Sequence, residues 1–241
     1  MPSVKEIQDV CGRPAKTEPW REKLARKITI RITWFLLKIR PSITPNQVTV
    51  VMLFLGIVSA FLFMTGRYGY ILLGVLVYHI HLLLDGCDGE IARYKKLYSE
   101  KGLYLDYIGH IIINPLIIMG IAIGVYINNP TPFPDIFFLI VGFIGMYSMM
   151  INNFLKLKKY EMYIDKKEFS KLKKMQKNFK SQDRRKNPIM DELWQFFRIM
   201  TFNSIFFFGI LNLLPYLVLI NAIVFPVQAI KRFYGEIKRK D

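Results

Sequence analysis

Acidic side chains, cysteine and histidine are all scarce in this chain. Its 241 residues hold 18 Asp and Glu against 34 Lys and Arg, a formal net charge of +16. The only cysteines, Cys11 and Cys87, do not make a disulfide framework. No internal repeat or low-complexity tract stands out. The first forty residues are polar and charged, so no signal peptide is read there. Apolar surface is what the chain has in excess: 52% of its residues are hydrophobic and 15% aromatic. So basic a balance, taken alone, points to nucleic acid or to an anionic membrane. The arrangement decides between them. Long, nearly uncharged apolar runs alternate with short basic connections, as in a protein that crosses a membrane several times.

Six runs of about 19–25 residues are long enough to cross ~30 Å of hydrocarbon at ~1.5 Å per residue. They are Gln47–Thr65, Tyr70–Arg93, Leu103–Ile127, Asp135–Leu157, Trp194–Leu214 and Pro215–Phe233. The expected fold is all-α: a polytopic membrane protein with six transmembrane helices, preceded by an amphipathic juxtamembrane helix. Residues 1–45 form the N-terminal segment, 46–235 the transmembrane domain with a basic loop at 156–192, and 236–241 a basic tail. Nearly every Lys and Arg falls in the segments 1–46, 94–102, 156–192 and the tail, which places these and both termini on the cytoplasmic side.

Pro19–Ile39 reads as the amphipathic helix. Leu24, Ile28, Ile32, Phe35 and Ile39 recur at spacings of three and four, interleaved with Arg21, Lys23, Lys27, Arg31 and Lys38. Such a helix either lies in the interface with its apolar side down or packs on the cytosolic side of the bundle. Lys156–Lys186 carries thirteen basic and four acidic residues. Without a recognisable nucleic-acid-binding fold, this run is expected to meet anionic lipid headgroups or enforce topology, with no nucleic-acid partner.

The second and third spans carry Asp85, Asp88, Asp106 and three histidines. Ionisable groups inside a span are costly and normally line a wet cavity with a task; otherwise the helix ends early and they lie in a loop. On a helix, Asp85, Asp88, Gly89 and Ala92 share one side, as do Gly102, Asp106 and His110 after the basic turn. Two antiparallel helices would then gather Asp85, Asp88, Asp106 and His110 near one membrane surface. Clustered carboxylates repel in a low dielectric, and divalent cations with oxygen ligands, Mg²⁺ or Mn²⁺, relieve that repulsion. Two such ions would hold a diphosphate for in-line displacement at phosphorus. Gly89 and Ala92 let a ligand approach the backbone, and Arg93 is placed to clamp a phosphate oxygen.

These residues resemble the signature of the CDP-alcohol phosphotransferase family: Asp-x2-Asp-Gly-x2-Ala-Arg, eight residues, then Gly-x3-Asp-x3-Asp. Asp85, Asp88, Gly89, Ala92, Arg93, Gly102 and Asp106 match, and the final Asp is replaced by His110. The stretch Ile43-Thr44-Pro45-Asn46-Gln47-Val48-Thr49 is similar to the family's Thr-Pro-Asn-x2-Thr element, and the preceding basic helix to its juxtamembrane helix. The resemblance runs from about Trp20 to Ile127. It implies a membrane transferase in phospholipid or related phosphodiester biosynthesis. A CDP-linked alcohol or CDP-diacylglycerol would be held across two metal ions, a hydroxyl acceptor (lipid, inositol phosphate or sugar) would attack phosphorus, and CMP would leave. Asp85, Asp88, Asp106 and His110 are the implied metal set, Asp106 and His110 the implied catalytic pair. Asn46, Thr49, Asp85, Gly89, Ala92, Arg93 and Gly102 are the implied nucleotide-site residues. A homodimer is also implied.

His110 leaves three readings open. It replaces the missing carboxylate as general base, it is a metal ligand that favours Mn²⁺, or its presence marks a site that binds nucleotide without turnover. Glu90 lies about 140° around the helix from Asp85 and does not compensate. His81, one turn before Asp85, reads as a satisfied interior histidine. Asn114 is placed either to meet the acceptor or to bond between helices, and Arg198 either to reach the anionic site or to snorkel. A cation transporter is the competing class, in which the interior acids mark an ion path.

Overall fold

The computed structural model describes residues 2–12, 20–97, 99–128, 131–165 and 204–237. Among these residues every regular element is a helix: α1 (Val4–Cys11), α2 (Trp20–Ile39), α3 (Pro45–Met64), α4 (Tyr68–Lys95), α5 (Glu100–Ile127), α6 (Asp135–Asp165), α7 (Ser204–Ile210) and α8 (Leu214–Ile237). Five are long and apolar enough to cross a membrane: α3, α4, α5 from Tyr104, α6 to Leu155, and α8 to Tyr234. The protein is therefore an integral membrane protein. The first ten residues of the expected Trp194–Leu214 span (194–203, with Arg198), the loop beyond Asp165 and the last four residues lie outside the described residues. Within that expected span the end differs: α7 stops at Ile210 and the chain turns at Leu211–Asn212, with Asn212 at a φ of 55°.

The chain divides into two compact units, Met1–Phe61 with Leu73–Ile113, and Leu62–Leu72 with Asn114–Asp241. In the first, α1 packs on α2. Helix α1 was not expected, although its signal stands in the sequence. Ser3 and Glu6 form a capping box, in which the Ser3 hydroxyl accepts from the Glu6 N–H at 3.1 Å and the Glu6 carboxylate from the Ser3 N–H at 3.0 Å. Ile7, Ile30, Leu37, Val48, Cys87 and Ile91 form this unit's core, joining α1–α4. Cys87, which lies between Asp85 and Asp88 in the sequence, is fully buried there, its thiol donating to the Thr29 carbonyl at 3.6 Å.

Helix α2 shows the packed arrangement of its two expected readings within this unit. It packs on the bundle through Thr29, Ile30, Thr33 and Leu37, while Leu24, Ile28, Phe35 and Ile39 stay exposed as an apolar stripe. The face that packs is thus offset from the stripe that the spacing picks out. Gly86 on α4 makes the approach possible, because a Cβ there would lie 2.8 Å from the Thr29 methyl.

In the second unit α6 runs along α8, which also meets α7. Asn152 ties α6 to α8, its amide donating to the carbonyls of Ser148 at 3.1 Å and Phe225 at 3.0 Å. At the end of α3, Gly66 has a φ of 65° and ends the helix in the left-handed region, which glycine adopts without strain. Gly124 of α5 presses on the same turn: a Cβ there would collide with the Phe63 carbonyl oxygen. Gly124→Ala is accordingly expected to cost about 1–3 kcal/mol through backbone displacement. Thermal unfolding of the detergent-solubilised protein checks this, with Gly69→Ala, which meets nothing within 4 Å, as the unaffected control.

Candidate active site

Helix α4 runs without a break through Asp85–Arg93, so the acidic run lies on a helix and not in a loop. Its neighbour α3 owes its start to the Thr44-Pro45-Asn46-Gln47 sequence. Thr44 caps the helix: its N–H donates to the Gln47 side chain at 3.1 Å and its hydroxyl accepts from the Gln47 N–H at 3.4 Å. Pro45 occupies the first helical position, where its missing N–H costs nothing. Lys95, at the end of α4, donates to the carbonyls of Pro41 and, at 2.6 Å, Ile43, fixing the turn that leads into α3.

This start delivers two of the expected residues. The Thr49 hydroxyl donates to Asp88 Oδ2 at 2.7 Å, and Asp88 is buried. Asn46 faces Gly102 at the start of α5, where a Cβ would lie 2.8 Å from Asn46 Oδ1 and 2.9 Å from Ser99 Oγ. Gly102 is thus required by the protein's own packing. Gly89 is different: an added Cβ would meet only the Arg93 guanidinium, at ordinary contact distances of 3.4 Å and beyond. Its small size serves no close protein contact.

Asp85, Asp106 and His110 come together. His110 Nε2 lies 3.0 Å from Asp85 Oδ1 and 3.5 Å from Asp106 Oδ1, and one ligand atom from each residue lies within 4.8 Å of the others. All three side chains are about one-third exposed, yet Asp106 Oδ1 itself is buried without a hydrogen-bond partner. Two carboxylate oxygens and an imidazole nitrogen, one oxygen lacking a donor, form a set that fits a divalent cation. Asp88 stands outside this convergent set, held by Thr49. Four residues of the expected metal set therefore divide into a group of three and a hydroxyl-bonded fourth.

Glu90, which the helical wheel places away from Asp85, is a principal contact of the unit. It is 3% exposed, and its two carboxylate oxygens accept from Thr29 Oγ1 at 2.6 Å and Thr33 Oγ1 at 2.7 Å. Its backbone carbonyl accepts from the Cys11 thiol at 3.5 Å, and burial pushes the Cys11 thiol up, keeping it protonated as a donor. The overlooked signal is the pair Thr29 and Thr33, four residues apart on a helix otherwise rich in basic and apolar groups.

An all-helical membrane bundle with a carboxylate–imidazole cluster on two adjoining transmembrane helices is the class of protein that this fold and site define. Residues 42–230 match the CDP-alcohol phosphatidyltransferase family, and the chain belongs to that family. It is similar to the bifunctional IPC transferase and DIPP synthase of Thermococcus kodakarensis, 41% identical over 85 residues that cover 35% of this chain and 18% of that one. The protein of the same description from Archaeoglobus fulgidus is 38% identical over 86 residues, 36% of this chain and 16% of that one. The matched segments thus span well under two thirds of these relatives' length.

The Glu90 contacts carry a direct test. Replacing both threonines (Thr29→Val with Thr33→Val) strips a buried carboxylate of its hydroxyl donors and is expected to cost about 1–3 kcal/mol per lost partner. The midpoint of thermal unfolding should fall accordingly, and Glu90→Gln should fall less, since an amide still accepts one hydroxyl.

Proposed function

We propose that this chain is a membrane transferase that moves a phosphoalcohol or phosphatidyl group from a CDP-linked donor to a hydroxyl acceptor and releases CMP. The observation that carries the reading is the convergence of Asp85, Asp106 and His110, on α4 and α5, within the segment that matches the family. Mg²⁺ or Mn²⁺ held there would supply charge neutralisation for the donor's diphosphate. Asp85, Asp106 and His110 would hold one ion. A second would require Asp88, which must then share its carboxylate with the Thr49 hydroxyl. Gly89, with the Arg93 guanidinium over it and Ala92 on the same turn, suits the nucleotide phosphates, and Asn46, Thr49 and Gly102 would shape the cytidine end.

In the transfer, the acceptor oxygen forms a bond to the donor's distal phosphorus as the diphosphate P–O bond breaks, and CMP leaves with that electron pair. The acceptor's proton goes to His110. Two carboxylates within 3.5 Å of Nε2 would stabilise the imidazolium that results. The base and ligand roles compete for one lone pair if both use Nε2, so experiment separates them. Arginine and lysine distribution supports a cytoplasmic active site and cytoplasmic termini. The family resemblance supports a homodimer, and the exposed stripe on α2 supports contact with membrane lipids.

Asp85→Asn and Asp106→Asn should each abolish CMP release from a CDP-linked alcohol panel supplied with Mg²⁺ or Mn²⁺. His110→Gln should lower kcat by about 10²–10⁴-fold if the imidazole is the base. Retention of full turnover in His110→Gln sinks that role, and metal-dependent CMP binding without any product identifies a silent site. For His110→Asp, a large rise in rate marks the wild-type site as weakened, whereas a loss marks a histidine adapted to its acceptor. A changed Mn²⁺/Mg²⁺ preference in the same variant identifies His110 as a ligand.

A further inference from the structure

Helix α4 carries a second histidine that the proposed transfer does not use. His81 is 1% exposed, and its Nδ1 lies 2.8 Å from the Met52 carbonyl oxygen on α3. A carbonyl oxygen only accepts, so Nδ1 carries the hydrogen and the neutral ring presents its lone pair at Nε2. That Nε2 atom is buried and has no hydrogen-bond partner. The Tyr78 hydroxyl, three residues earlier on the same helix, is likewise buried without a partner. The two rings stack, with centroids 5.9 Å apart and planes 18° from parallel.

The seat for His81 is made by omission on α3. A Cβ on Gly56, one turn after Met52, would lie 3.1 Å from His81 Nδ1 and 2.5 Å from the Ile113 Cγ2 methyl. The ring is therefore held on one side by a carbonyl and given room by a glycine, while its accepting nitrogen is left bare. A metal-ligating histidine usually donates its other nitrogen to a carbonyl or carboxylate in this way. Here the convergent ligand set among the described residues is Asp85, Asp106 and His110, and His81 is not in it. A bare acceptor in a membrane-spanning segment, where bulk water is absent, calls for a bound donor.

We propose that His81 Nε2 is a binding site for a hydroxyl donor, water or a small alcohol, held one helical turn from Asp85. The Tyr78 hydroxyl is a second buried polar atom without a hydrogen-bond partner, on the ring that stacks on His81. The site stands whether or not His110 serves as base, because it depends on the ring's tautomer and burial alone.

The chain has three histidines, so ¹⁵N-histidine labelling of the full chain in lipid nanodiscs yields six ring nitrogens, and His81→Asn assigns the pair that disappears. If that variant does not fold, His79→Gln and His110→Gln assign His81 by elimination. The expected result is a protonated Nδ1 and an unprotonated Nε2 that exchanges magnetisation with a hydroxyl proton. A cross-peak to water in the absence of added alcohol identifies water as the occupant. A cross-peak that arises only on adding glycerol identifies an alcohol. A protonated Nε2, or no hydroxyl cross-peak under either condition, overturns the proposal.

Discussion

Three carboxylates within six residues of one membrane-spanning helix set the terms for the first unit. Asp85, Asp88 and Glu90 all lie on α4, and each meets donors from a different neighbour. Glu90 takes the Thr29 and Thr33 hydroxyls of α2, Asp88 the Thr49 hydroxyl of α3, and Asp85 the His110 imidazole of α5. An unpaired carboxylate in such a setting costs several kcal/mol, so these contacts are conditions for the helix to be where it is. The arrangement of α2, α3 and α5 around α4 can be read as the solution to that one electrostatic problem.

The helical wheel explains why one acid differs in role from the other two. Asp85 and Asp88 are about 60° apart, whereas Glu90 lies about 140° or more from either. Glu90 consequently turns into the interface with α2, beside Cys87 and Ile91, and becomes the most buried of the three at 3% exposure. Its two short hydroxyl contacts leave its carboxylate fully engaged. Asp85, about one-third exposed, keeps the accessibility that chemistry needs. On the proposed reading, the buried Glu90 serves packing and the exposed Asp85 serves chemistry.

Much of this is legible in the sequence. The apolar runs located α3, α4, α5, α6 and α8 to within a few residues at most ends, because helices that cross lipid must be long and apolar. The spacing of Asp85, Asp106 and His110 foretold their meeting, since three- and four-residue steps share a helix face. What escaped was pairing across helices. Thr29, Thr33 and Lys95 are ordinary residues by type, and only packing shows that they complete the hydrogen bonding of Glu90 and of the turn before α3. His81 is interior, as its position suggests, with its Nδ1 bonded to the Met52 carbonyl. Sequence position tells that a histidine is interior, but not that only one of its two nitrogens finds a partner.

The histidine at position 110 changes the logic of the site as well as its membership. A cluster of four carboxylates assembles only where cations, protonation or hydrogen-bond donors offset the repulsion. Here the imidazole stands 3.0 Å from Asp85 and can offer that carboxylate a hydrogen bond. The side chains thus hold one another in register before any cation arrives. On the proposed reading, an incoming cation must compete with the imidazole for Asp85, while Asp106 Oδ1, which has no donor, is ready to receive it. Preassembly and affinity then trade against each other: the site needs less metal to keep its shape, and holds that metal less tightly than a fourth carboxylate would.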